Sequence, residues 1–189
     1  MIKLLKHNKI DKQRWNECIN KSFNGNVYAL SWYLDIVHPQ WDALIENDYE
    51  RVMPLTISKK FGISYMFQPF FVQQLGVFST SQLSQDKVEN FINAIPKQYL
   101  LTQYRLNSYN KVNYESENIE RHRNVELDLI YDYQYLYNNY SNNTKRNLAK
   151  AEAAGLSINH NINPQNIIDI FRNNKGKQIK HWGDKEYDR

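Results

Sequence analysis

Three features of the sequence predict an α/β fold: a strand and two helical segments at the start, strand-like runs between residues 41 and 78, and a strand, helix, helix series at the end. Together they predict a mixed, largely antiparallel sheet flanked by helices over residues 1–130, followed by the start of a second α/β domain over 131–189. A chain of 189 residues, 41% hydrophobic and 14% aromatic, can bury one good core, or one core and the beginning of another.

Ile2-Lys3-Leu4-Leu5 reads as a short strand. Asp11 then offers an N-cap for a helix that carries Trp15, Cys18, Ile19 and Phe23 at helical spacing. Asn24-Gly25-Asn26 breaks the chain before a second helix over 30–37, closed by Pro39. Strands are predicted at 41–46, 51–58, 63–69 and 74–78, as an antiparallel meander with turns at Asn47-Asp48 and Lys59-Lys60-Phe61-Gly62. A helix fits 85–95, with Val88, Phe91, Ile92 and Ile95 on one face and Pro96 after it, and strands are expected at 99–107 and 123–129.

A short helix at 132–137 should lead into a stronger one at 141–154, which Gly155 can end in a left-handed conformation. A strand at 156–161, a helix opened by Pro164 with Ile167, Ile168 and Phe171 on one face, and the beginning of another helix at 176–189 complete the reading. Strand, helix, helix without returning strands cannot cover its own apolar faces, so the second domain is expected to start near 131 and to be incomplete at Arg189. Its order of elements resembles that of residues 1–38.

Composition excludes several classes. No apolar run approaches the ~20 residues of a membrane span, and the N-terminus is too weakly apolar for a secretory signal, so a cytoplasmic location is expected. Cys18 is alone and fits a core position. The histidines at 7, 38, 122, 160 and 181 lack metal-ligand spacing, and no metal is expected. Nucleophile elbow, P-loop and dinucleotide fingerprints are absent. A net charge of +4 gives little reason to expect nucleic acid as a partner.

The charge that exists is local: Lys145, Arg146 and Lys150 fall in an eleven-residue stretch, 141–151, without an acid. Cations in the first turns of a helix oppose its dipole by ~0.3–1 kcal/mol each, and Arg146 with Lys150 makes a like-charged i,i+4 pair. An anionic partner would offset both costs; a solvated basic face beside Glu152 is the plain alternative. Gln68, Gln73 and Gln74 bracket Pro69-Phe70-Phe71 in a loop that could present amides and rings to a peptide or sugar. In the alternative, the two phenylalanines pack under the sheet edge and the glutamines satisfy backbone groups. Trp32 and Tyr33 divide in the same way between core and binding surface, one of the pair facing each way.

Three segments resemble the FemAB-like group of the GNAT superfamily: Ser31-Trp32-Tyr33-Leu34; Val52-Met53-Pro54-Leu55 followed by Gln68-Pro69 and Gln73-Gln74-Leu75-Gly76; and the run from Asn143 through Lys145-Arg146, Lys150-Ala151-Glu152 and Gly155 to Leu156. The third is the most specific, and the likeness spans most of 27–160. The resemblance implies a GNAT-like domain and the start of a second one, transferring an acyl or aminoacyl group to an amine.

It implies acyl-CoA or aminoacyl-tRNA as co-substrate, no permanently bound cofactor, and a small-molecule, peptide or cell-wall precursor amine as acceptor. It further implies a substrate-binding set of Trp32, Tyr33, Gln68, Gln73, Gln74, Lys145, Arg146 and Lys150, and it assigns no catalytic residue. The chain departs from the group in having Tyr33, Leu34 and Asp35 where some precursor enzymes place a phosphate-binding lysine after the tryptophan. It also lacks the Gly-rich acyl-CoA loop of ordinary GNAT enzymes and any counterpart of the tRNA-binding arm. A non-catalytic GNAT-like module that binds a peptide or glycan stays open beside the enzyme, and the 189 residues alone need not be active. The Asn-, Lys-, Ile- and Tyr-rich composition fits an AT-rich bacterial genome.

Overall fold

A computed structural model describes residues 1–99, 101–113, 115, 118–179 and 183–187. The chain divides into two compact units, Met1–His122 and Arg123–Arg189.

The first unit is mixed α/β. Strand β1 (Ile2–Leu5) pairs antiparallel with β2 (Asp42–Glu46), β2 with β3 (Arg51–Leu55), and β3 with the two-residue β6 (Phe78–Ser79), giving a sheet of order β1-β2-β3-β6. A second sheet has the order β4-β5-β7: β4 (Ile57–Lys60) is antiparallel to β5 (Ile63–Phe67), and β5 is parallel to β7 (Thr102–Gln103). The single strand expected over 51–58 is therefore two. Thr56 makes the break, its hydroxyl donating to the Phe67 carbonyl at 2.7 Å while Phe67 N–H donates to the Thr56 carbonyl at 3.2 Å.

Helices cover both faces of the first sheet because β2 and β3, buried throughout, alternate between two cores. Ala43, Ile45 and Val52 face α1 (Lys12–Lys21) and α2 (Ser31–Val37), where Trp15, Cys18, Ile19 and Leu34 close the layer. Leu44, Met53 and Leu55 face Val88 and Phe91 of α3 (Gln85–Asn93). Asp11 caps α1 by accepting from the Gln13 and Arg14 N–H groups, and Ser84 caps α3 through Lys87 N–H. Phe23 lies past the end of α1 and is half exposed.

Pro54 explains why β6 is short. Its carbonyl, which points to the side where its N–H would be, accepts from the Tyr104 hydroxyl at 2.6 Å, so the ladder with β6 stops at Val52. Of the strand expected at 74–78 there remain Phe78 and an isolated parallel bridge between Leu75 and Leu106. Of that at 99–107, whose residue 100 lies outside the described residues, there remain β7 and the same bridge.

The second unit has α4 (Tyr133–Asn138), α5 (Asn142–Ala153), α6 (Pro164–Asn173), a 3-10 turn at Lys175–Gln178 and α7 (Asp184–Tyr187). Asp132, Ser141 and Asn163 cap the first three. Gly155, at φ +66°, ends α5 in a Schellman motif, with Gly155 N–H on the Glu152 carbonyl and Leu156 N–H on that of Ala151. The strands expected at 123–129 and 156–161 do not form, since the described residues of this unit include no strand to pair with them. Their apolar side chains are open to solvent, Val125 at 80% and Ile158 at 81%, and no described residue of the unit is buried. Residues 180–182, 188 and 189 of the helix expected at 176–189 lie outside the described residues.

Candidate functional site

The parallel seam between β5 and β7 is interrupted. Met66 and Phe67 pair with Thr102 and Gln103, residues 68–74 then leave the sheet, and Leu75 rejoins it, donating to the Arg105 carbonyl and accepting from Asn107 N–H, both at 2.8 Å. Gln68 replaces the lost backbone ladder. Only 6% exposed, it accepts from Arg105 N–H through Oε1 at 3.3 Å and donates to the Val72 carbonyl through Nε2 at 3.4 Å. Its amide is committed to shaping the loop, which makes it a positioning residue. The sequence shows that an amide is present there, but Arg105 is remote in the chain. Gln68→Ala is expected to cost about 1–3 kcal/mol by leaving those groups unpaired, read as a fall in urea midpoint at unchanged slope.

The loop pushes its rings outward. Phe70 is 58% and Phe71 63% exposed, so the alternative in which they pack under the sheet edge does not hold. The cause is the backbone: Phe71 is at φ +64°, a left-handed conformation that is costly for a bulky residue and that is held by neighbouring contacts. Tyr33 supplies one of them, its hydroxyl donating to the Phe71 carbonyl at 2.8 Å. Burial, and then neighbouring Tyr28, push that hydroxyl above its ordinary pKa, so it stays protonated and able to donate. The Tyr33 ring lies edge-on to those of Trp32 and Tyr28, each at 5.5 Å. Trp32 itself points out at 52% exposure, while Tyr33 is half-buried.

Trp32, Tyr33 and the loop thus share one surface, with Gln73 exposed and Gln74 half-buried along it. Residues 61–85 contain no Asp, Glu, Lys, Arg or His, and neither do residues 22–34. These two stretches offer ring faces, amides and backbone, and the exposed Arg105 stands beside the loop through its N–H on Gln68 Oε1.

The basic residues belong to the second unit, on α5. The dipole conflict read from the sequence is answered locally for one of them. Lys145 turns back to donate to the Asn138 carbonyl at 2.9 Å, at the C-terminal end of α4 where a cation is favoured, and its ammonium lies 5.5 Å from the Tyr137 ring centroid. Arg146 donates to Asn143 Oδ1 at 2.6 Å, a neutral partner, and Lys150 sits in the last turn, where the dipole accepts it. An open groove of about 420 Å³ runs beside α5, between Tyr133, Tyr137, Leu148, Glu152 and Ile158. Among the described residues no three His, Cys, Asp or Glu side chains are placed to share a metal ion, and no helix is long and apolar enough to cross a membrane.

No protein-family model, curated protein or solved structure matches the chain.

Proposed function

We propose that the chain belongs to an acyltransferase that moves an acyl or aminoacyl group from acyl-CoA or aminoacyl-tRNA to an amine, in the manner of the FemAB-like proteins its sequence resembles, with the aromatic loop receiving the acceptor. The observation that carries this reading is the interrupted β5/β7 seam. A strand, two helices, antiparallel strands, a helix and a parallel strand order the first unit, and the β5/β7 seam opens where a strained aromatic loop emerges. Transfer to an amine asks the protein chiefly for positioning, for removal of the amine proton and for stabilisation of the oxyanion. The loop supplies the first of these. On α5, Arg146 donates to the neutral Asn143 Oδ1 and is the guanidinium suited to an anionic group of the donor.

A second reading, a non-catalytic module for a peptide or glycan, is favoured by one observation: neither stretch that builds the aromatic surface, 22–34 or 61–85, contains a carboxylate or imidazole to accept a proton.

The test pairs thermal shift with mass-spectrometric detection of transfer, using acyl-CoAs of several lengths, aminoacyl-tRNA and a UDP-linked muropeptide. A ligand at about a hundred times its Kd is expected to raise Tm by about 5–10 °C. Trp32→Ala is expected to remove the acceptor's shift while moving the unliganded Tm by no more than about 2 °C, as for an exposed side chain. Transfer supports the enzyme. An acceptor shift without transfer from any donor favours the module, and no shift with any ligand overturns both.

A further inference from the structure

Asn24-Gly25 is the only Asn-Gly pair in the sequence, and packing dictates both residues. A side chain on Gly25 would place its Cβ 2.2 Å from the Ile19 carbonyl oxygen. Asn24 is 4% exposed; its Nδ2 donates to the Val77 carbonyl at 2.9 Å and to Asn107 Oδ1 at 3.3 Å, and its Oδ1 accepts from Ser79 N–H at 3.3 Å. Two further buried asparagines complete the knot. Asn107 donates to the Leu75 carbonyl at 3.0 Å, while Asn110 donates to the Val77 carbonyl and accepts from Val77 N–H, at 2.9 and 2.7 Å.

An asparagine followed by glycine is the pair most open to intramolecular imide formation, because no Cβ hinders the approach of the next backbone nitrogen to the side-chain carbonyl. We propose that Asn24 is a modification site gated by opening of this knot, where spontaneous deamidation converts a structural amide irreversibly to an acid. In the opened chain the Gly25 nitrogen gives its proton to a solvent base and attacks Asn24 Cγ. The new C–N bond closes a five-membered imide, the Cγ–Nδ2 bond breaks, and ammonia leaves carrying a proton. Water then opens the imide at either carbonyl, giving aspartate or isoaspartate.

The closed fold blocks this reaction twice. Three hydrogen bonds fix the amide, and the attacking N–H is itself donated to the Ser22 carbonyl at 3.1 Å. A shallow cleft of about 260 Å³ lined by Ile19, Ser22, Gly25 and Asn26 already brings solvent to the glycine side, so release of the amide is the step that remains. The product cannot re-enter as the amide did. A carboxylate sets acceptors against the Val77 carbonyl and Asn107 Oδ1, and the isoaspartyl form adds a backbone methylene to a turn that does not tolerate a Cβ. Because Asn107 and Asn110 hold Leu75 and Val77, where the aromatic loop returns to the sheet, the modification also loosens that anchor.

The experiment incubates the chain in mildly alkaline buffer, folded and in denaturing urea, and follows residue 24 by peptide mapping with isoaspartate detection. Deamidation at Asn24 is expected to be at least about a hundred-fold slower in the folded chain, and the modified fraction is expected to melt below the unmodified one. Equal rates in the two states, no modification in either, or a modified chain that melts like the parent would overturn the proposal. Asn24→Asp supplies the acid directly. If that variant does not fold, the comparison of rates in the unmodified sequence still decides.

Discussion

Trp15→Ala is expected to destabilise the first unit by about 3–5 kcal/mol, a large share of the ~5–15 kcal/mol that holds a typical domain. Trp15 is fully buried, with its ring 4.7 Å from that of Trp41, and it joins α1 to the face of the sheet built from Ala43, Ile45 and Val52. Two costs add. Removing the indole empties a large part of that core, and the carbonyl of the buried Ala29, which accepts from Trp15 Nε1 at 2.7 Å, loses its donor. Trp15→Phe separates them, since it keeps a ring and loses only the donor; its expected cost is about 1–3 kcal/mol. The consequence reaches the candidate site, because Ala29 lies in the turn that leads into α2, whose first residues present Trp32 and Tyr33. Urea unfolding followed by circular dichroism measures both. Equal loss in the two variants would mean that the hydrogen bond, not the packing, holds the layer.

What the sequence makes legible follows from how local each cause is. Trp15, Cys18 and Ile19 repeat at helical spacing behind a capping Asp11, so α1 can be read with no knowledge of its neighbours; Phe23 fails because the helix ends at Lys21 and the phase is lost. The strands at 123–129 and 156–161 are misread for the opposite reason. Alternation and an apolar run state what a segment could do, but a strand exists only where another backbone accepts its hydrogen bonds. In the second unit helices persist although no described residue is buried, because their determinants are local: Ser141 on Thr144 N–H, Asp132 on Tyr135 N–H, and Gly155 at the end of α5.

The candidate site shows the same division. Rings and amides at 68–74 are visible in the sequence, as is the choice between outward and inward faces for Trp32 and Tyr33. What decides them is not. The loop is held by Arg105 N–H and by a hydroxyl from α2, and the asparagine knot behind it joins residues 24, 77, 107 and 110. The charge on α5 divides in the same way. The unfavourable placement of Lys145 in α5 is real when that helix is considered alone, and it is relieved by the end of the preceding helix.

Arg51→Met is expected to cost about 3–5 kcal/mol at neutral pH, because it strands a buried carboxylate. Glu46 and Arg51 face each other across β2 and β3, each nearly buried, with a 2.7 Å contact; Lys87 of α3 reaches the other Glu46 oxygen at 3.1 Å, and Arg51 also meets Glu50 and the Ser81 hydroxyl. Burial by itself pushes the Glu46 carboxyl up, but the hydrogen bonds from Arg51 and Lys87 outweigh it and hold the group below its ordinary value of 4.5. The sign follows: the stability this carboxylate contributes is fully present above 4.5 and is lost as pH falls below it toward the lowered folded value. Without Arg51, burial opposes a single lysine contact, so the variant's deficit should shrink as acid neutralises Glu46. Arg51→Met combined with Glu46→Leu should recover much of the loss, since the pair then becomes apolar surface between two strands. Urea midpoints of the four proteins, taken from neutral pH to below the ordinary carboxylate range, test this. Simple additivity with a deficit independent of pH would show that the guanidinium serves the Glu50 and Ser81 contacts and not the buried pair.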